Sequence, residues 1–339
     1  MKRIAKLMAL CMLAMLVLAA CGSGGSGGGG AQASAASPVS MKIGHTGNAK
    51  SKYQAGMEAF KAEIDAKSGG RFSLEIFPMS LGDDRELLEG LQIGTVDFSE
   101  VNTSVVANIV EELAVIDLPF IFTSVEHVNR VLDGKVGDGM IDLVNNKAGV
   151  KAVAWWENGF RCFTNNIRPI TKPGDLTGLV MRTMQSNVHL ETFKLWGANP
   201  TPMAFSEMLT AMQQKVIDGH DNNPDTIVTN NMWEFQDYFS ESRHFFGAKM
   251  LIFSNKFWGA LSDSDKTMFT NAVYLARDIE RKESLTRYEA AIDSLVKNNM
   301  KVIRNADVDT EAFIKSVQPV WDAFRAKHGA ALIDSIVKG

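Results

Sequence analysis

From Ser40 onward the apolar positions switch repeatedly between a period of two and a period near 3.6. MKIGH (41–45) predicts a brief strand. Tyr53, Met57, Phe60 and Ile64 then fall three and four apart, the spacing of one helix face, and Ser68-Gly69-Gly70 stops that helix. RFSLEIF (71–77) alternates Phe72, Leu74 and Ile76 with polar partners and reads as a strand. A helix follows at 84–93 and a strand at 96–101. This β-α-β-α-β order predicts a mostly parallel sheet with helices on both faces. Segments 150–156 and 160–166 add two more strands. Near Gly159 a second α/β unit begins. LVMRT (179–183) reads as a strand and 187–195 as a helix. A further helix at 207–214 turns Met208, Leu209 and Met212 inward, and KVIDG (215–219) reads as a strand. No Gly/Ser linker separates the two units, so the chain is expected to cross between them on strands.

Segment 262–299 contains no Gly or Pro and opens on Ser262-x-x-Asp265, a variant of the helix capping box. Its apolar residues run Phe269, Val273, Ala276 and Ile279, then Leu285, Tyr288, Ile292 and Leu295. As one helix it would measure about 57 Å, longer than one domain is wide. The six-residue gap before Leu285 would turn the apolar stripe by roughly 120°. Two readings stay open: a single spine packed on two bodies, or two helices broken near 281–284.

The N-terminus has a different character. Lys2, Arg3 and Lys6 precede an uncharged apolar run of 14 residues, Leu7 to Ala20, too short to span a bilayer as a helix. It ends Leu18-Ala19-Ala20-Cys21, which resembles the lipobox of bacterial lipoproteins, where the leader is cut before the cysteine and the sulfur carries a diacylglycerol. The tract from 22 to 38, GSGGSGGGGAQASAASP, has no apolar surface to bury and is expected to be a flexible tether. The expected product is a membrane-anchored lipoprotein, periplasmic or otherwise extracytoplasmic, with a leader at 1–20 and a tether at 21–39. With Lys2, Arg3 and Lys6 set aside, 32 basic residues face 39 acidic ones, a net charge of −7, and no long basic run remains. Nucleic acid is therefore not an expected partner. Cys11 lies in the leader and Cys21 at the cut, so only Cys162 is left in the body of the chain, which excludes an internal disulfide there.

Taken in order, several segments carry a resemblance to a known family. They are LGDDRELLEGLQIGTVDFSEV (81–101), IDLPFIF (116–122), GFRCFTNNIRPI (159–170), DLTGLVMRT (175–183), GANPTPMAFSEMLTAMQQKVIDG (197–219) and HDNNP (220–224). Together they resemble the solute-binding subunits of tripartite ATP-independent periplasmic (TRAP) transporters, the DctP-like family, over nearly all of 41–339. The resemblance implies an α/β, two-domain periplasmic-binding-protein fold, with a hinge of crossing strands and one long domain-spanning helix. Applied to this chain it gives one domain from 40–158 plus about 249–287, and a second from 159–248 plus about 288–339. It also implies capture of a small carboxylated ligand for membrane permease subunits driven by an ion gradient, with no cofactor and no nucleotide.

Arg182 lies in LVMRT among apolar neighbours, where an unpaired guanidinium is costly to bury and a planar fork suits a carboxylate. The resemblance makes it the ligand clamp; an internal salt bridge is the alternative. Arg161, in GFRCFTN, is by resemblance a second ligand contact, with a structural hinge pair as its alternative. Asn222 falls where the family places a ligand-contacting Asn, although Asp221 replaces the family's Glu and Asn223 follows before Pro224. The double Asn and PTPMAF resemble the branch that binds uronic or aldonic sugar acids. A C4-dicarboxylate or a 2-oxo acid is the alternative ligand, and a ligand-sensing lipoprotein the alternative role. Glu86 and Asp84, at a helix start, are candidates for receiving sugar hydroxyls. His45 at a strand end, Asn158, Phe163 and the tryptophans Trp155 and Trp156 are softer candidates for the cleft. Outside the Gly/Ser tract there is no GxSxG, GxGxxG or Walker loop, and the histidines show no metal-ligand spacing, so an enzyme and a metal site are not expected.

Overall fold

The structure, a computed structural model, describes residues 37–339. Its centre is one mixed sheet of nine strands: β1 (Val39–His45), β2 (Phe72–Pro78), β3 (Phe98–Asn102), β4 (Val150–Asn165), β5 (Val180–Thr183), β6 (Asn199–Pro202), β7 (Gly219–Asn222), β8 (Tyr238–Ser254) and β9 (Lys301–Ile303). The order is β2-β1-β3-β8-β4-β7-β5-β6, with β9 added to β8. Within each wing the pairing is parallel: β1 with β2 and β3, and β5 with β6 and β7. The two wings meet through β4 and β8, which run antiparallel to each other and to their other neighbours, β3 and β7. Five of the eight pairings are parallel, β8 with β9 included, and the three antiparallel ones are those of β4 and β8 with each other, β7 and β3. The two strands expected at 150–156 and 160–166 are one continuous strand of 16 residues. Two strands that both pass from wing to wing give the two-domain architecture a double crossing.

β4 is not straight. Its register with β8 shifts between Glu157 and Gly159, and Gly159 takes φ +94. A Cβ there would stand 2.5 Å from Asn223 Nδ2, so only glycine suits that backbone. The residues on either side of this bulge, Asn158 and Arg161, both line the cavity described below.

The long helix is continuous from Asp263 to Lys297, and Ser262 caps its first turn by accepting from Asp265 N. At 35 residues it is about 52 Å long. At 100° per residue its buried stripe drifts by roughly 90° between the Phe269–Ala276 half and the Ala291–Leu295 half. The buried line runs Phe269, Ala272, Val273, Ala276, Glu280, Ser284, Ala291, Ile292 and Leu295, and Leu285 is 59% exposed. The gap in the hydrophobic pattern is filled by two polar residues on the same face. Its first half packs on the helix Lys52–Lys67 and on Phe253 and Phe257; its last turns join Met212, Ile217 and Phe239 in the second wing. One departure from the expected limits is at the C-terminus. Val320, Phe324, Ile333 and Ile336 enter the core of the first wing with Val128, Met140 and Val144. His127 Nε2 meets Ile336 O at 2.8 Å, so the tail folds back and does not stay with residues 288–317.

Glu280 sits at the middle of this helix, fully buried, with Lys52 Nζ 3.7 Å from its Oε1. Lys52, Glu157 and Arg281 are the charges around it. Burial, with Lys52 opposing, pushes its carboxyl from 4.5 up to about 8. Between those values the folded chain holds a proton that the unfolded chain has lost, so Glu280 lowers stability as pH rises through that window. Glu280→Gln should remove this slope: its stability advantage over the natural chain in urea unfolding should widen by on the order of 1–3 kcal/mol from pH 5 to pH 8. Parallel pH curves would show that Glu280 is not the group responsible.

Candidate functional site

Between the wings, beside the bulge in β4, lies a polar cavity of about 530 Å³ counted out to its mouth. β1 leads into its wall through Thr46 and Gly47; the helix Lys52–Lys67 adds Lys52 and Tyr53 from its first turn. Asp84 comes from the start of the helix Asp84–Ile93, and Asn102 from the end of β3. The second wing contributes Arg182 from β5, Asn222 from β7 and Phe205 from the helix Phe205–Gln213. Asp225, Thr226 and Thr229 come from the short helix Pro224–Thr229. Contacts from wing to wing hold it nearly shut: Asn48 Nδ2 donates to Thr229 O at 2.9 Å and meets Asn230 Oδ1 at 3.1 Å. Ser206 N donates to Asp83 Oδ2 at 2.8 Å.

Four cations line this space, and two of them, Arg161 and Lys249, are bound to a carboxylate. Arg161 Nε and Nη2 bind Asp221 Oδ2 and Oδ1 at 2.6 and 3.0 Å, and Nη2 also reaches Asp221 O. Burial works against Asp221, yet Arg161 and His244 hold its carboxyl well below the usual range. Lys249 is bound to Glu100, donates to Thr46 Oγ1 at 3.0 Å and stands 3.6 Å from Asp84 Oδ1. Burial opposes its charge, but Asp84 and Glu100 raise its pKa. Lys52 donates to Asn158 O and Ser284 Oγ at 2.8 and 2.9 Å and faces Glu280. Burial raises the pKa of both acids near it, Glu280 to about 8 and Asp225 with Lys52 opposing.

Arg182 differs. It is 3% exposed, and its Nε and Nη2 donate only to a backbone carbonyl, Met203 O, at 3.1 and 2.7 Å. Among the described residues no carboxylate comes within 4 Å of it. Burial, and then Arg161 beside it, pull its pKa down to about 10, so it stays charged at neutral pH. A buried, charged guanidinium without a counter-ion, on the wall of a cavity, is chemically an anion acceptor.

Of the residues singled out from the sequence, Arg182, Arg161, Asn158, Asn222 and Asp84 come together on this cavity. Arg161 does so while also forming the internal pair that was its alternative reading. Asn158 Nδ2 donates to Asn222 Oδ1 at 2.9 Å, linking β4 to β7. Four do not line it. Glu86 closes a capping box, its Oε2 accepting from Asp83 N at 3.0 Å. His45 is buried against Gln54 Oε1 at 2.7 Å, and burial lowers its pKa to about 4. Phe163 stacks on His244 in the second-wing core, centroids 4.0 Å apart. Asn223 caps the helix Pro224–Thr229 by accepting from Asp225 N at 2.9 Å. Trp155 and Trp156 are core residues too, so Tyr53 and Phe205 are the aromatic rings on the cavity. Lys52, Tyr53, Asn102, Asp225 and Lys249 escaped the sequence reading. The one signal for Lys52 was its place on the buried face of a helix start. Cys21 lies outside the described residues. Among the described residues no group of three or more His, Cys, Asp or Glu could hold a metal ion, and no helix is long and apolar enough to cross a membrane.

Two α/β wings joined by crossing strands, a helix spanning both and a polar cavity between them define a periplasmic-type binding protein. Residues 43–328 match the model of the bacterial extracellular solute-binding proteins, family 7, and the chain belongs to that family. It is similar to a solute-binding protein of Verminephrobacter eiseniae, 31% identical over 298 residues that cover 88% of each chain. A TRAP periplasmic solute-binding protein from a Polaromonas species, solved bound to D-erythronate, is 35% identical with a TM-score of 0.85, covering 88% of this chain and 98% of that one. The sugar acid binding protein of Advenella mimigardefordensis, solved with galactonate, is 30% identical with a TM-score of 0.85, covering 89% and 97%. The chain is therefore an extracytoplasmic solute-binding protein of TRAP type, not an enzyme, and its family implies a small ligand and membrane permease subunits as partners.

Proposed function

We propose that this protein captures an aldonate or uronate sugar acid in the cavity between its wings, clamps the carboxylate with Arg182, and delivers it to membrane subunits driven by an ion gradient. The observation that carries the reading is Arg182, buried on the cavity wall with no counter-ion of its own. A ligand carboxylate would neutralise it in a site that excludes water, where the pair is stronger than in bulk solvent. Arg161 is the second contact, because its Nη1 makes no bond to Asp221. Asn222, Asn158 and Asn102 offer amides for hydroxyls. The sugar-acid class is supported by the ligands of the two solved relatives, D-erythronate and galactonate.

The two bodies are residues 40–158 plus about 249–287, joined by the returning tail from about 318, and residues 159–248 plus about 288–317. They rotate about the crossing of β4 and β8 near Gly159, and ligand shifts the open–closed equilibrium by binding the closed form better. A lipid on Cys21 and the Gly/Ser tract after it would hold the body near the membrane.

Arg182→Ala should weaken D-galactonate binding by roughly 2–5 kcal/mol in calorimetry, the scale for removing one partner of a buried charge pair. Undiminished affinity would remove the clamp. Cys21→Ser should move the protein from the membrane to the soluble fraction of cells, and continued membrane fractionation would refute the anchor.

A further inference from the structure

The polar groups on the cavity wall differ in what they have left to bond. Nη1 of Arg182, Nη1 of Arg161 and Nδ2 of Asn222 bind no protein atom among the described residues. The hydroxyls on the helix of Asp225 and near Lys52 have spent their protons. Thr226 Oγ1 donates to Asn158 Oδ1 at 3.1 Å, Thr229 Oγ1 to Asp225 O at 2.9 Å and Ser51 Oγ to Asn48 O at 2.7 Å. Lys52 donates to Asn158 O and Ser284 Oγ, with Glu280 3.7 Å away. These hydroxyls therefore turn only lone pairs toward the cavity.

Among them stands the carboxylate of Asp225. It is 7% exposed, it accepts no side-chain or backbone hydrogen bond among the described residues, and its nearest cation, Arg287, is 4.0 Å away. The principal charges acting on Arg182 are Arg161, Asp221, Asp83 and Asp84; those acting on Asp225 are Lys52, Arg287 and Glu283.

We propose that the Asp225 end of the cavity reads ligand hydroxyls and rejects a second carboxylate, so that the protein takes polyhydroxy monocarboxylates and excludes dicarboxylates of the same length. The inference rests on the sugar-acid reading above and narrows it. A terminal hydroxyl can donate to Asp225 and accept nothing in return, which suits a pole made of acceptors. A terminal carboxylate meets a buried like charge, a juxtaposition that costs specificity-determining energy.

The test compares acids that differ only in the last carbon: D-galactonate with galactarate, and D-erythronate with meso-tartrate, titrated by calorimetry into the purified natural protein and Asp225→Asn. The natural protein should prefer the aldonate of at least one pair on the order of 100-fold. Asp225→Asn should cut that preference at least about tenfold, by strengthening the dicarboxylate and weakening the aldonate. Equal binding within each pair by the natural protein overturns this inference and leaves the sugar-acid reading standing, as does an unchanged ratio in the variant. Binding of neither aldonate overturns the sugar-acid reading and this inference with it.

Discussion

A charged guanidinium kept out of water without a partner is the constraint on which the account turns. Among the described residues Arg182 bonds only one backbone carbonyl, and no carboxylate comes within 4 Å of it. Arg161 and Lys249 on the same wall are bound to carboxylates, and Arg161 is held so firmly by Asp221 that its charge is spent inside the protein. The electrostatic cost concentrated at one point becomes affinity once an anion arrives, and the family's extracytoplasmic binding role follows from that arrangement.

The rest of the architecture serves to present that point and then to cover it. Parallel wings of short strands end on opposite sides of one gap, and two long antiparallel strands tie them together. The bulge at Gly159 places Asn158 and Arg161 at the base of the gap, while the spanning helix backs it with Glu280 and Ser284. Charge is thus buried on the hinge as well as in the site, with Lys52 touching both. Opening and closing in the proposed mechanism would work on this shared network.

Much of the chain was legible because half-buried elements advertise their faces. The helices at 84–93 and 187–195, and β1 and β2, came from periodicity alone. What resisted was polar and buried at once. β7 runs Gly219–Asn222 through His220 and Asp221 with every residue buried, whereas hydrophobicity favoured the preceding KVIDG; the Arg161–Asp221 pair is what lets such a strand lie inside. β8, buried along nearly its whole length, shows no alternation to read. The gap in the stripe of the long helix arose because Glu280 and Ser284 continue it without apolar atoms. For the same reason Lys52, Lys249 and Asp225 went unseen on the cavity wall, while Phe163, His45, Glu86 and Asn223 were drawn toward it by position and belong to the core and to helix caps.

The most direct measurement is a crystal structure of the protein with D-galactonate bound. The account requires the ligand carboxylate within hydrogen-bonding distance, about 3 Å, of the Arg182 guanidinium, with the carbon chain running toward Asp225. A carboxylate seated elsewhere, with Arg182 left to Met203 and solvent, would contradict it.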